Sequence, residues 1–300
     1  MNHLSNNNSD APIHNSGCPT WELIMPIEGT GISSGVSAVE FKGKLYAFYT
    51  RHKTPDAVTL GYVVLNKNAD NDLRLESINE LPAPQVAHFR PAVTVYAQHL
   101  YCFYTATDQT IRLLNYSGAE WSSTESVPNV LTSDAPSVAS NGASLYLALR
   151  GTRQHAFYHK VLDHTGWQPH VLDPDINTAG SPSLCIYENV PYVGIRTPAE
   201  QQLICRLSSY WHPIHLSKQR GTYGAPALAA HDKCFFSAAR LRDSNQYTID
   251  RFQPKQGMEH VDKTAGAYLS PPCLTQYSGD LYLIGQRPCN DLAILKFNPD

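Results

Sequence analysis

Charge is scarce in this chain. Asp, Glu, Lys and Arg make up 16% of its 300 residues and the formal net charge is −3, against a charged share of about a quarter in ordinary soluble domains. So weak a balance gives no bulk attraction to nucleic acid or to an anionic bilayer, and neither is expected as a partner. Long apolar runs are also missing. No stretch approaches the roughly 18 residues of a membrane span, so no membrane insertion is expected. The first seventeen residues, Met1 to Gly17, carry neither a basic start nor an apolar core, so they do not read as a signal peptide. Largely polar, they are read as a disordered tail preceding one domain over residues 18–300.

Cysteine is sparse and odd in number, seven in all, with no Cys-x-x-Cys pair. That excludes a disulfide framework and the usual zinc spacing. Cys102, Cys185, Cys205 and Cys234 sit inside apolar strand patterns, where a free thiol acts as a small hydrophobe. A reducing, cytoplasmic location is expected, or export without a signal peptide. Gly-rich phosphate loops and Gly-x-Ser-x-Gly elbows are absent. His155 and His159 fall on a strand rather than a helix, so their four-residue spacing is not a metal motif. No cofactor and no metal are expected.

What the chain does have is tyrosine (17), phenylalanine (9), glycine (18) and proline (21), a composition suited to many short strands and tight turns. These residues recur with a period. Arg90-Pro91-Ala92-Val93, Ala135-Pro136-Ser137-Val138, Ser181-Pro182-Ser183-Leu184, Ala225-Pro226-Ala227-Leu228 and Pro271-Pro272-Cys273-Leu274 align, with Gly35-Val36-Ser37-Ala38 as a weaker first member. From Val36 through the five prolines the steps are 55, 45, 46, 44 and 46 residues. Nine residues after each register position comes a second apolar pair, among them Leu45-Tyr46, Leu100-Tyr101, Leu145-Tyr146 and Leu281-Tyr282. Third strands are predicted at Leu60–Leu65, Ile111–Tyr116, Ala156–Leu162 and Leu292–Phe297. Trp121, Trp167 and Trp211, each fifteen residues before the next register proline, are taken to mark the fourth. Four meandering strands per repeat make a propeller blade, and six repeats predict an all-β, six-bladed β-propeller.

The same ruler predicts how the ring closes. The sixth repeat ends at Asp300 with three strands, whereas Trp21 lies fifteen residues before Val36. The segment 20–25 therefore supplies the fourth strand of the last blade and removes an open edge. Proline at the register position suits the first residue of a strand, where its missing donor costs nothing. The tryptophans are read as wedges between neighbouring blades.

The third repeat, from Leu145-Tyr146-Leu147-Ala148-Leu149-Arg150-Gly151-Thr152 through Tyr158-His159-Lys160 to Asp163-His164-Thr165-Gly166-Trp167, resembles the repeat of bacterial propeller lectins of the Photorhabdus lectin type. More loosely, the chain is similar to six-bladed fungal fucose-binding lectins. The resemblance implies glycan binding between adjacent blades, without catalysis. Photorhabdus-type lectins have seven blades, where this chain has six repeats whose loops diverge. That divergence favours one or two specialised sites.

Alternating strand direction brings the starts of first strands, the loops between second and third strands and the ends of fourth strands onto one face. Nine of thirteen arginines map there (Arg51, Arg90, Arg150, Arg153, Arg196, Arg220, Arg240, Arg242 and Arg287), but only three of ten lysines. Arg150, Arg196 and Arg240 share one position in three consecutive repeats. Their guanidinium forks suit an acidic glycan or, alternatively, a structural pairing with a carbonyl or acid between blades. The candidate ligand-binding residues are Arg90, Arg150, Arg196, Arg240, Tyr223 and Tyr268. Asp134, His88 and Tyr223 are the candidates for acid–base chemistry. Three functions stay open: glycan recognition, a glycan-active enzyme of sialidase or glycosidase type working in the central mouth, and a protein-binding scaffold.

Overall fold

The computed structural model describes residues 20–299 apart from 55–56, 154, 218–220 and 254–256. The tail read at Met1–Gly17 and the face arginine Arg220 lie outside the described residues. Six antiparallel sheets follow one another along the chain. Their innermost strands touch in an unbroken circle in which the first blade meets both the second and the sixth. The protein is a six-bladed β-propeller.

The last blade is composite. Its three C-terminal strands end with Leu292–Asn298, and Thr20–Ile27 pairs antiparallel to that strand, from Thr20 opposite Asn298 to Ile27 opposite Leu292. The predicted N-terminal closure is thus the observed one, two residues longer than expected.

The register prolines do what strand chemistry requires. In four blades the innermost strand begins one residue after the proline, at Ala92, Ser137, Ser183 and Cys273. In the fifth, Pro226 sits inside the strand Thr222–His231, at an irregularity between Tyr223 and Ala227 where the ladder is interrupted. The residue after the register position explains the serine found there in three repeats. Innermost strands have no neighbour on the channel side, so their N–H groups need other acceptors. Ser37 Oγ accepts from Val93 N (3.3 Å), Ser137 Oγ from Leu184 N (2.8 Å) and Ser183 Oγ from Leu228 N (3.3 Å), in each case from the following blade.

Between blades the core is apolar and aromatic. Trp121, Trp167 and Trp211 stand edge-on to Phe48, Phe103 and Phe157 of the preceding blade, at centroid distances of 5.9, 6.2 and 5.8 Å. The wedge reading holds, but two of the three tryptophans do not mark the outermost strand. In the second blade that strand is Glu125–Leu131, and in the third it is Val171–Asn177. Trp121 pairs with Tyr116 in an isolated bridge, and Trp167 lies in a two-residue strand before the outer one. The position is conserved in space because it fills the seam; the strand can start four residues later. All six described cysteines are unpaired, five of them buried, and no described helix is long and apolar enough to cross a membrane.

Candidate functional site

Two cavities open among the loops of the arginine-rich face. The first is the central mouth, about 320 Å³, lined by residues from all six blades, including Ser34, Arg90, Asp134, Ser181, Tyr223 and Pro271. Its shape depends on close backbone approaches. Gly224 is left-handed (φ 79°), and a Cβ there would stand 2.6 Å from Pro271 Cγ, so only glycine permits this junction of the fifth and sixth blades.

The structure separates the predicted arginines by partner. Arg196 donates from Nε to Thr222 O of the next blade (2.9 Å) and from Nη2 to Glu200 Oε1 (2.7 Å). Glu200 also takes Arg242 Nη1 at 2.8 Å. Arg150 approaches Asp134 Oδ2 at 3.7 Å. Arg240 donates to Asn245 Oδ1 (2.6 Å) and lies 4.7 Å from the Tyr223 ring centroid. The three forks therefore do not converge on one point. Their counterparts in two other blades show a shared duty: Thr105 Oγ1 donates to Asp134 O and Gln286 Nε2 to Ile32 O, each in the following blade. The column is polar in all six blades, and three of its members tie one blade to the next backbone.

Arg90 differs. Among the described residues its hydrogen bonding is limited to one long contact, 3.5 Å from Nη1 to Pro272 O. It lines both the mouth and the narrower channel beneath. Burial lowers its pKa from the usual guanidinium value, opposed by the nearby Cys273 and Asp134. His88, exposed at the rim, holds Ser33 O at 2.8 Å through Nε2 and lies 4.7 Å from the His52 ring. Asp134 is engaged by Ser181 Oγ (2.5 Å) and by Ala135 N (2.9 Å). Tyr223 is 48% exposed, an aromatic surface offered to the cavity. Tyr268 is not: it is buried, stacked on Tyr247 at 4.2 Å in the seam between the fifth and sixth blades. Among the described residues no cluster of three or more His, Cys, Asp or Glu is gathered around a potential metal position.

The second cavity, about 500 Å³, lies between the second and third blades. Val127, Val130 and Leu149 form its apolar lining, with Tyr158 and His170 packed edge to face at 5.6 Å beside them. Thr110, Asn129, Thr152 and Arg153 add polar groups. Asn129 holds a left-handed backbone (φ 57°), which asparagine tolerates better than most residues. Gly151 makes room for the tyrosine, since a Cβ there would lie 2.4 Å from Tyr158 Cε2. Of this cavity the sequence singled out only Arg153 as a face residue. Its other signal was the stretch Leu149–Thr152 and Tyr158 within the lectin-like third repeat.

No family model and no curated protein matches the chain. Solved structures do, at the level of the fold. The SapL1 lectin, in complex with alpha methyl fucoside, aligns over 90% of this chain and 95% of its own, with a TM-score of 0.65 and 12% identity. The fucose-specific lectin from Aleuria aurantia gives 92% and 93%, a TM-score of 0.65 and 9% identity. The sialidase of Trypanosoma rangeli aligns over 89% of this chain and 55% of its own, with a TM-score of 0.59 and 12% identity. This chain thus spans little more than half the sialidase's length. The likeness to six-bladed fucose-binding lectins is one of fold, and the closer resemblance of the third repeat to Photorhabdus-type lectins has no sequence-level match.

Proposed function

We propose that the protein is a carbohydrate-recognition propeller that binds a glycan on its arginine-rich face, in the cavity between the second and third blades. The supporting observation is a coincidence of two independent readings. The one repeat that closely resembles a lectin repeat supplies Leu149, Gly151, Thr152 and Tyr158 to the larger of the two cavities described. The chemistry suits a sugar: an aromatic and apolar lining for its C–H faces, and hydroxyl, amide and guanidinium groups for its hydroxyls. The fold-level likeness to two fucose-binding lectins points the same way. An enzymatic reading gains less, because Asp134, the carboxylate lining the mouth, and Glu200, which pairs with its arginines, are each held by neighbouring donors.

The test is a glycan array probed with the full chain and with Tyr158→Ala and Arg153→Ala. Selective binding that both variants lose supports the proposal. An array without binding, or binding indifferent to both substitutions, would move the propeller to the protein-scaffold reading.

A further inference from the structure

The central mouth shares no lining residue with the interblade cavity, and its chemistry is different. We infer that it is a second ligand site, built for a monosaccharide-sized carboxylate of the sugar-acid class, with Arg90 receiving the carboxylate and Tyr223 receiving the ring.

Three observations carry this. The first is charge left over after pairing. Arg90, Arg196 and Arg242 line the mouth, against one lining carboxylate, Asp134. Glu200 takes Arg196 and Arg242, and Asp134 lies near Arg150. Arg90 forms no ion pair among the described residues and has four donors to spare beyond its long contact to Pro272 O. A guanidinium kept in a recess without a carboxylate partner is costly unless something else meets it, and its fork matches a carboxylate at two points.

The second is placement. Gly35, at φ 103°, lies against the Arg90 stem, where a Cβ would make an ordinary contact 3.7 Å from Arg90 Cδ and a tight one 3.3 Å from Ser270 Cβ. Arg90 stands where the mouth of about 320 Å³ narrows to a channel of about 80 Å³. A ligand entering from the face is arrested at the guanidinium. The larger volume is at the small end of ligand pockets, enough for one sugar ring.

The third is the wall. The Tyr223 ring is half-exposed and backed by the Arg240 guanidinium, itself held by Asn245. One face of the ring is thereby fixed, and the other is free to stack on the C–H face of a sugar. The hydroxyls of Ser34 and Ser181 and the imidazole of His88 line the same cavity and suit the ligand's hydroxyls. Asp134 in the lining disfavours a dianion such as phosphate and favours a monoanion.

The experiment is titration calorimetry on the full chain with glucuronate, N-acetylneuraminate, glucose and inorganic sulfate. At least one sugar acid should bind roughly tenfold or more tighter than glucose, and Arg90→Gln should remove that preference. Tyr223→Ala should weaken sugar-acid binding by a similar factor, whereas Tyr158→Ala should leave it unchanged. Because Arg90 enters the channel, circular dichroism checks the fold of R90Q, and the exposed Tyr223 provides a variant that does not depend on it. The inference is overturned if neither sugar acid outbinds glucose, if R90Q and Y223A bind as the wild type does, or if sulfate binds as tightly as the sugar acids. Loss of sugar-acid binding in Y158A alone would also overturn it, by assigning that binding to the interblade cavity. Failure of the interblade proposal leaves these outcomes intact, since no mouth residue is altered in testing it.

Discussion

Trp21 packs on Phe297 with ring centroids 5.2 Å apart, joining the strand nearest the N-terminus to the last strand of the chain. Both rings are buried in the seam between the fifth and sixth blades. Truncating a buried tryptophan to alanine costs about 3–5 kcal/mol, and here the loss falls on the one blade whose strands are distant in sequence. Trp21→Ala should lower the denaturation midpoint by a corresponding amount in guanidinium titration. Deleting the first 26 residues should cost the fold, because it removes nearly all of Thr20–Ile27; deleting the first 15 should leave it intact. A well-folded, monomeric product of the longer deletion would refute closure by this strand.

The closure was legible because a propeller repeats its backbone requirements. Pro136, Pro182 and Pro272 each precede an innermost strand, and one ruler placed Trp21 correctly from a single count. The sites were less legible, for a physical reason. The interblade cavity draws on positions scattered from Thr110 to His170 across two repeats, and its Val130 and Leu149 have the pattern of ordinary core. Tyr268, four residues before Pro272, has the sequence position of a mouth residue, yet it turns into the seam. Gly285 opens that space, since a Cβ there would sit 2.9 Å from Tyr268 Cδ1. Which arginine is paired depends on loops that bring Glu200 back to Arg196, and no spacing rule reports that.

Arg196 is expected to be a stability residue first. Its bond to Thr222 O fastens the fourth blade to the fifth, and its bond to Glu200 closes the adjoining loop. Hydrogen bonds with a charged member contribute about 1.5–3 kcal/mol; Glu200 keeps Arg242, so the loss falls mainly on the tie to Thr222 O. Arg196→Ala should therefore lower the melting temperature clearly while leaving sugar binding between the second and third blades unchanged. Unaltered melting would show the tie to be idle.

Gly151 tests the interblade cavity without removing any of its groups. An alanine methyl would collide with the Tyr158 ring, whose Cε2 would be 2.4 Å away, and a ring edge gives way more easily than backbone. Gly151→Ala should displace Tyr158 and weaken glycan binding by about tenfold or more, with a stability change of about 1 kcal/mol or less. Equal binding by wild type and variant would remove Tyr158 from the site.

His159 gives the seam between the third and fourth blades a dependence on pH. Its Nδ1 accepts from Trp211 Nε1 at 3.2 Å, which requires the ring to be neutral at that nitrogen. Burial lowers the histidine's pKa from its usual value, opposed by the nearby Asp173. The folded chain consequently binds this proton less readily than the unfolded chain, so stability is complete above about pH 6.5 and falls as pH drops toward the folded value. His215, also lowered by burial, adds a contribution of the same sign. His159→Gln keeps a side-chain oxygen able to accept from the indole but cannot titrate. Urea denaturation at pH 7.5 and pH 5 should show a smaller loss for H159Q than for the wild type, with the His215 contribution remaining in both. Equal losses would mean that the Trp211 bond survives protonation, as it would if the ring turned to present another contact.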